Sequence, residues 1–106
     1  MANKKVNGWQ KDFDIQRKQL IIIKKLYAEN GLVIIGGGAC PEQYDVFKDG
    51  EQVAYYRLRH GEFTIDYPNV LGLTILSADA NGDGIFDKDE RVAYLSKAME
   101  LILLKL

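Results

Sequence analysis

Asp79, Asn81, Asp83, Asp87 and Glu90 fall at positions 1, 3, 5, 9 and 12 of the stretch Asp79-Ala80-Asn81-Gly82-Asp83-Gly84-Ile85-Phe86-Asp87-Lys88-Asp89-Glu90. Short oxygen-bearing side chains at alternate positions converge as a chain curls, and a carboxylate at position 12 closes the shell from the start of a following helix. That chemistry suits a hard divalent cation. Ile85, at position 7, offers its backbone carbonyl, and Gly84, at position 6, admits a sharp turn with positive φ. The same residues also carry a metal-free reading. Asn81-Gly82 and Asp83-Gly84 are strong turn dipeptides, and Asp87-Lys88-Asp89-Glu90 reads as a helix start with Asp87 as cap and Glu90 as the third residue of a capping box. A turn and a cap leave the alternation of Asp79, Asn81 and Asp83 unexplained, since several carboxylates in one bend repel one another without a cation among them.

The spacing resembles the calcium loop of the EF-hand family. Carried over position by position, the resemblance implies Asp79, Asn81, Asp83 and bidentate Glu90 as side-chain ligands, the carbonyl of Ile85, and Asp87 directly or through water. The flanks depart from that family. Ala78 precedes the loop where a large apolar residue of an entering helix is usual, behind the strand-like Leu71-Gly72-Leu73-Thr74-Ile75-Leu76, and Arg91 follows position 12 where an apolar residue is usual. A strand-loop-helix site is therefore expected. A solitary loop of this kind implies weak, structural binding, with Kd around 10⁻⁵ to 10⁻³ M.

Other reactive residues are few. The single histidine, His60, sits in the turn sequence Arg59-His60-Gly61, and the single cysteine, Cys40, precedes Pro41 behind three glycines. One Cys and one His make neither a zinc site nor, without geometry, a catalytic dyad. Glu42, Glu62 and Asp66 offer carboxylates that no spacing selects. Gly36-Gly37-Gly38 after an apolar run invites a phosphate-loop reading, but no G-K-[ST] follows, and Pro41 stands where G-x-G-x-x-G needs its third glycine. A mobile glycine loop is expected there, and no enzyme.

The elements that must hold these residues follow from periodicity. After a loose lead-in over 1–11, with Trp9 folded back on the body, Asp12 or Asp14 caps a helix running to Asn30. Its apolar stripe of Leu20, Ile23, Leu26 and Tyr27, with Ile22 alongside, lies opposite Arg17, Lys18, Lys24, Lys25 and Glu29. Asn30-Gly31-Leu32 ends it, with Gly31 left-handed and Leu32 packed back on the last turn. Leu32 to Ile35 reads as a short buried strand or an extended connector. From Tyr44 the period becomes two: Tyr44 to Phe47, Val53 to Arg59 and Phe63 to Tyr67 read as a meander joined by turns at Asp49-Gly50 and His60-Gly61, and Pro68-Asn69 breaks it before a last strand at Val70 to Leu76. With Ala54, Tyr56 and Leu58 facing the core, Tyr55, Arg57 and Arg59 form an aromatic and basic strip. That strip either lies solvated against Glu62 or Asp66, anchors a protein partner, or stacks bases. A closing helix from Lys88 to Leu106 carries an apolar seam at Val92, Leu95, Met99, Ile102 and Leu106. Leu101 to Leu104 make its end apolar nearly all round, so it is either enclosed by the rest of the fold or is in part a homodimer contact.

Composition narrows the classes. The chain has 106 residues, 47% of them hydrophobic and 27% charged, with net charge −1. These values suit one globular domain, and a charge so close to zero gives no pull toward nucleic acid or anionic membrane. The longest apolar runs are far below the roughly 20 residues of a membrane span. An unpaired cysteine and the lack of a signal-peptide pattern at the start point to a cytoplasmic protein. The stretches Cys40-Pro41-Glu42-Gln43-Tyr44-Asp45-Val46-Phe47 and Tyr56-Arg57-Leu58-Arg59-His60-Gly61-Glu62-Phe63 are similar to segments of small uncharacterised bacterial proteins, a likeness that implies no activity. The expectation is an α+β domain over 1–106: an antiparallel meander of four to five strands with an N-terminal and a C-terminal helix packed on it. Its expected role is non-enzymatic protein interaction with one structural calcium loop. The competing role is a metal-independent inhibitor or immunity-type partner that uses the Tyr/Arg sheet face.

Overall fold

A computed structural model describes residues 8–106, with side chains from residue 11 onward. Residues 1–7 of the expected lead-in and the side chain of Trp9 lie outside the described residues. Helix α1 (Gly8–Glu29) is followed by strands β1 (Val33–Gly37), β2 (Glu42–Lys48), β3 (Glu51–Arg59), β4 (Glu62–Tyr67) and β5 (Leu73–Asp79), and helix α2 (Arg91–Lys105) closes the chain. The strands form one antiparallel sheet in the order β1-β2-β3-β4-β5, each paired with its neighbour in sequence. This is the α+β arrangement that the alternating and helical periods predict.

Both helices lie on one face of the sheet. Ile23 and Tyr27 from α1, Leu95, Ala98 and Ile102 from α2, and Tyr44, Ala54, Tyr56, Leu58, Phe63 and Ile65 from the strands make up the buried core. The two layers meet at a hydroxyl. Tyr27 Oη donates to the Leu95 carbonyl at 2.6 Å and shares a hydrogen bond of 2.9 Å with Tyr56 Oη. Burial pushes the Tyr27 and Tyr56 phenols well above their ordinary range, so both remain neutral donors. Aromatic packing continues toward α2 through edge-to-face contacts of Tyr56 with Phe63 and of Phe63 with Tyr94.

Several boundaries differ from those the sequence predicts, each for a local reason. Helix α1 begins at Gly8, so Lys11 is helical and Asp12 and Asp14 lie inside the helix instead of capping it, with Asp14 paired to Arg17 one turn on. Its end is as expected: Gly31 has φ 77°, and the Leu32 amide bonds back to the Tyr27 carbonyl at 2.9 Å. The glycine run is not a free loop. Gly36 and Gly37 complete β1 opposite Tyr44 and Gln43, and Gln16 of α1 holds Gly38 by both its amide and its carbonyl. Along β3 a bulge sets Val46 opposite Ala54 and Phe47 opposite Gln52. Val53 is the extra residue, which is why Val53 and Ala54 are both buried although adjacent. Strand β5 starts at Leu73, three residues later than expected. The Gly72 amide bonds to the Asn69 carbonyl and the Leu71 amide to Asn69 Oδ1, which keeps 69–72 in a turn.

The end of α2 is largely enclosed. Ile102 is buried, Leu101 and Leu103 pack half-buried against the core, and Leu104 and Leu106 face outward. No described helix is long and apolar enough to cross a membrane.

Tyr27→Phe strands the Tyr56 hydroxyl in the core and is expected to cost about 1–3 kcal/mol. Tyr56→Phe leaves the bond from Tyr27 to Leu95 intact and should cost less. Urea unfolding of the two variants, with unchanged m-values, checks the order.

Candidate functional site

Three segments converge at one end of the sheet: the link from β1 to β2, the turn between β3 and β4, and the bend from Asp79 to Glu90. Backbone hydrogen bonds tie them together. The amides of Cys40 and Glu42 both donate to the Gly84 carbonyl, at 2.9 and 2.8 Å, Gly61 donates to the Asp83 carbonyl, and Ala80 to the Gly61 carbonyl. Cys40 and His60 each adopt φ 54°, a left-handed conformation that non-glycine residues hold only when the surroundings fix it.

Beneath this knot lies a buried ion pair. Glu42 and Arg91 are each 1% exposed. Glu42 Oε2 accepts Arg91 Nε at 2.7 Å, and Oε1 accepts Arg91 Nη2 at 2.9 Å, the two-pronged geometry that suits guanidinium and carboxylate. Oε1 also accepts the Phe86 amide at 2.9 Å, and Oε2 accepts the Tyr44 hydroxyl. The guanidinium further donates to Gln19 Oε1 at 2.8 Å and to the Phe86 carbonyl at 3.3 Å, while Gln19 Nε2 reaches the Lys88 carbonyl at 2.7 Å. Burial works against the Arg91 charge, but the hydrogen bonds and the charge of Glu42 more than offset it and hold the guanidinium above its ordinary pKa. Tyr44 is pushed well above its normal range, chiefly by burial and then by the neighbouring Glu42 charge. It therefore acts as a neutral donor.

The six residues singled out for a cation are distributed as follows. Asp79 ends β5, and its carbonyl accepts the Tyr94 hydroxyl. The side chains of Asp79, Asn81, Asp83 and Asp87 are exposed and make no hydrogen bond among the described residues, and Ile85 is half-buried. Glu90 is buried and turned inward, where its carboxylate accepts the amides of Asn81, Gly82 (3.0 Å) and Asp87 (3.2 Å). Among the described residues, no group of three or more His, Cys, Asp or Glu side chains is gathered as a metal would need. Gly84 does not take the positive φ expected at position 6. It is packed instead: a Cβ there would lie 2.9 Å from the Cys40 Cα and 3.0 Å from its Sγ. Helix α2 starts at Arg91, not Lys88, with Glu90 as its N-cap residue. The reach of Glu90 back to the Asp87 amide is one half of the expected capping box. The other half is replaced by a backbone bond from the Glu90 amide to the Asp87 carbonyl at 3.0 Å.

On the surface of the knot, Cys40, Pro41, Arg59, His60, Asp83 and Gly84 line a cleft of about 240 Å³. Its lining residues come from three segments that are distant in sequence. Arg59 also belongs to the sheet face away from the helices. There Tyr55 stands across from Asp45 and Asp66, Arg57 across from Gln43 and Thr64, and Arg59 across from Glu62. Their donors and acceptors are not matched as cross-strand ion pairs. Gln52 donates to Asp45 at 2.7 Å, Thr74 to Asp66 at 2.6 Å, Ser77 to Glu62, and Tyr55 to Gln43 at 2.7 Å. Each carboxylate thus holds a neutral donor, and among the described residues Arg57 and Arg59 have no ion-pair partner.

Glu42 and Arg91 escape a reading of the sequence alone. The available signal was Arg91 itself, a charged residue standing where the calcium-loop pattern calls for an apolar one. Comparison with protein-family models, with curated proteins and with solved structures finds no match.

Arg91→Met leaves Glu42 buried without its cation and should destabilise the fold by about 3–5 kcal/mol. Glu42→Met combined with Arg91→Met should recover part of that loss, as a double-mutant cycle in urea would measure. Glu90→Gln is expected to cost about 1–3 kcal/mol through three weakened amide bonds, and hydrogen exchange should localise the effect to 79–90.

Proposed function

We propose that the chain is a small, non-enzymatic protein-interaction domain that binds through the open face of its sheet, with Tyr55, Arg57 and Arg59 as anchors. The observation that carries this reading is the state of the two arginines. Both helices cover the opposite face, and the nearby carboxylates of Asp45, Glu62 and Asp66 are each engaged by a neutral donor. Two guanidinium forks are therefore left for acceptors on another molecule. Tyrosine and arginine supply much of the binding energy at protein interfaces, because each adds large contact area and directed donors at modest entropic cost. Tyr55 is held by Gln43, which lowers the cost of fixing its ring on binding.

The bend over 79–90 enters this reading as a metal-independent brace. Calcium coordination there is the second reading. It is favoured by the unengaged side chains of Asp79, Asn81, Asp83 and Asp87 within one bend, and requires Glu90 to exchange three amide bonds for the ion. Thermal unfolding in millimolar calcium and in chelator separates the two. An unchanged midpoint supports the brace, and a rise that Asp79→Ala abolishes supports calcium.

Arg57→Ala/Arg59→Ala replaces exposed or half-exposed groups, and its thermal midpoint should match the parent. Affinity capture with the parent should retain a partner that the variant loses, at a cost of about 2 kcal/mol or more in binding. Identical capture by both, or a partner held by neither, overturns the proposal.

A further inference from the structure

The two edges of the sheet are not alike. The β1 edge is short and ends in Gly36 and Gly37, at φ 142° and 131°, conformations that do not continue an L-residue strand. The β5 edge runs seven residues, Leu73-Thr74-Ile75-Leu76-Ser77-Ala78-Asp79, with neither proline nor charge before its last residue. Protein sheets usually guard such an edge with lysine, proline or a covering element, because its unpaired amides and carbonyls accept another strand. Within the strand the one irregularity is a bulge that leaves Ile75 between Leu76, opposite Ile65, and Thr74, opposite Asp66, and neither lysine nor proline stands there.

Exposed apolar side chains gather at its start. Leu71 is 92% exposed, Leu73 76% and Leu104 83%, with Val70 and Leu106 also outward. Leu104 and Leu106 join the others because Tyr67, the cross-strand partner of Leu73, points its hydroxyl at the Lys105 carbonyl at 3.5 Å. Leu73 shares the helix-side face with Tyr67, but α2 does not cover it. At the far end of the strand the situation reverses. Leu76 and Ala78 pair with the buried Ile65 and Phe63, and between them and Ala93, Tyr94 and Lys97 of α2 lies an apolar groove of about 300 Å³. A projecting leucine thus stands at one end of β5 and an apolar recess at the other, on the same face.

We propose that the chain forms a two-fold homodimer in which β5 pairs antiparallel with β5 of a second copy, joining the two sheets into one of ten strands. Antiparallel pairing about a two-fold axis sets the start of one β5 beside the end of the other. Leu73 of each copy then meets the groove of its partner, at both ends at once. The occupant is a second copy because projection and recess complement each other only under that symmetry. Pairing β5 with β1 would be head-to-tail and would build an open chain of subunits. The contact is independent of the Tyr55, Arg57 and Arg59 face, and it sets two such faces on one continuous sheet.

Sedimentation equilibrium over a concentration series tests this, with Leu73→Lys as the variant, since an exposed site tolerates lysine without loss of fold. The parent should approach twice the 12.0 kDa chain mass, and Leu73→Lys should remain at the single-chain mass with an unchanged circular dichroism spectrum. Hydrogen exchange should show the β5 edge amides protected in the parent and released in the variant. A parent that stays monomeric throughout, or a Leu73→Lys protein that still dimerises with its β5 amides protected, overturns the proposal. Partner capture through Arg57 and Arg59 is read in a separate assay, so either idea can fail alone.

Discussion

The pairing of Glu42 with Arg91 is the constraint from which the rest of this end of the molecule follows. An isolated charge at either position would carry a desolvation cost of several kcal/mol. The cost is offset only because every polar atom of the pair finds a partner: two guanidinium bonds, the Phe86 amide and the Tyr44 hydroxyl on the carboxylate, and Gln19 and the Phe86 carbonyl on the guanidinium. Those partners come from α1, β2, the bend before α2, and α2 itself. Satisfying one buried charge pair therefore fixes where four segments meet. It also sets the start of α2, because Arg91 cannot reach Glu42 unless the helix begins beside β2.

The oxygen-rich bend is best understood as a consequence of that junction. The eleven-residue connection over 80–90, between the end of a strand and a helix fixed in place, must turn sharply while satisfying its own amides. Glu90 meets that need by accepting three of them, and Gly84 by allowing Cys40 to approach within contact distance. In a calcium loop the same two positions are wanted for other reasons: a bidentate ligand at position 12 and a left-handed residue at position 6. One pattern of residues thus serves two physical solutions, and what separates them is where the Glu90 carboxylate is spent.

This overlap marks how far the sequence could be read. Alternation along β3 and β4 correctly assigned Ala54, Tyr56 and Leu58 to the core, because a period of two leaves only one way to bury them. The seam of α2 through Val92, Leu95, Met99 and Ile102 and the Gly31 cap were equally plain, while Leu106, expected in the same seam, lies past the helix end and faces outward. Boundaries were misjudged where side-chain contacts that periodicity does not show decided them: Gln16 of α1 ordering the glycine run, Asn69 holding 69–72 in a turn before β5, and Glu90 standing as the N-cap of α2. The pairing itself could not be read, since Glu42 and Arg91 are separated by 49 positions, and only Arg91, out of place after the loop, marked one half of it. Local chemistry predicts local structure well, and a charge buried by tertiary contact leaves only a misplaced residue as its trace.

The surfaces left over have a common origin in the packing of the helices. Two helices are enough to cover one face of a five-stranded sheet only in part. Helix α1 sits over the β1 side and α2 crosses toward β5, where a gap opens between Tyr94 and Ala78. The opposite face receives no helix at all, so its central strand must satisfy its polar groups within the sheet. There, neutral donors occupy the carboxylates and the guanidiniums of Arg57 and Arg59 go unpaired. The exposed apolar edge and the exposed basic strip are thus two results of one arrangement: the helices are committed to closing the core around Tyr27, Tyr56 and Leu95 and to burying Arg91, and no further element of the described chain remains to cover the rest.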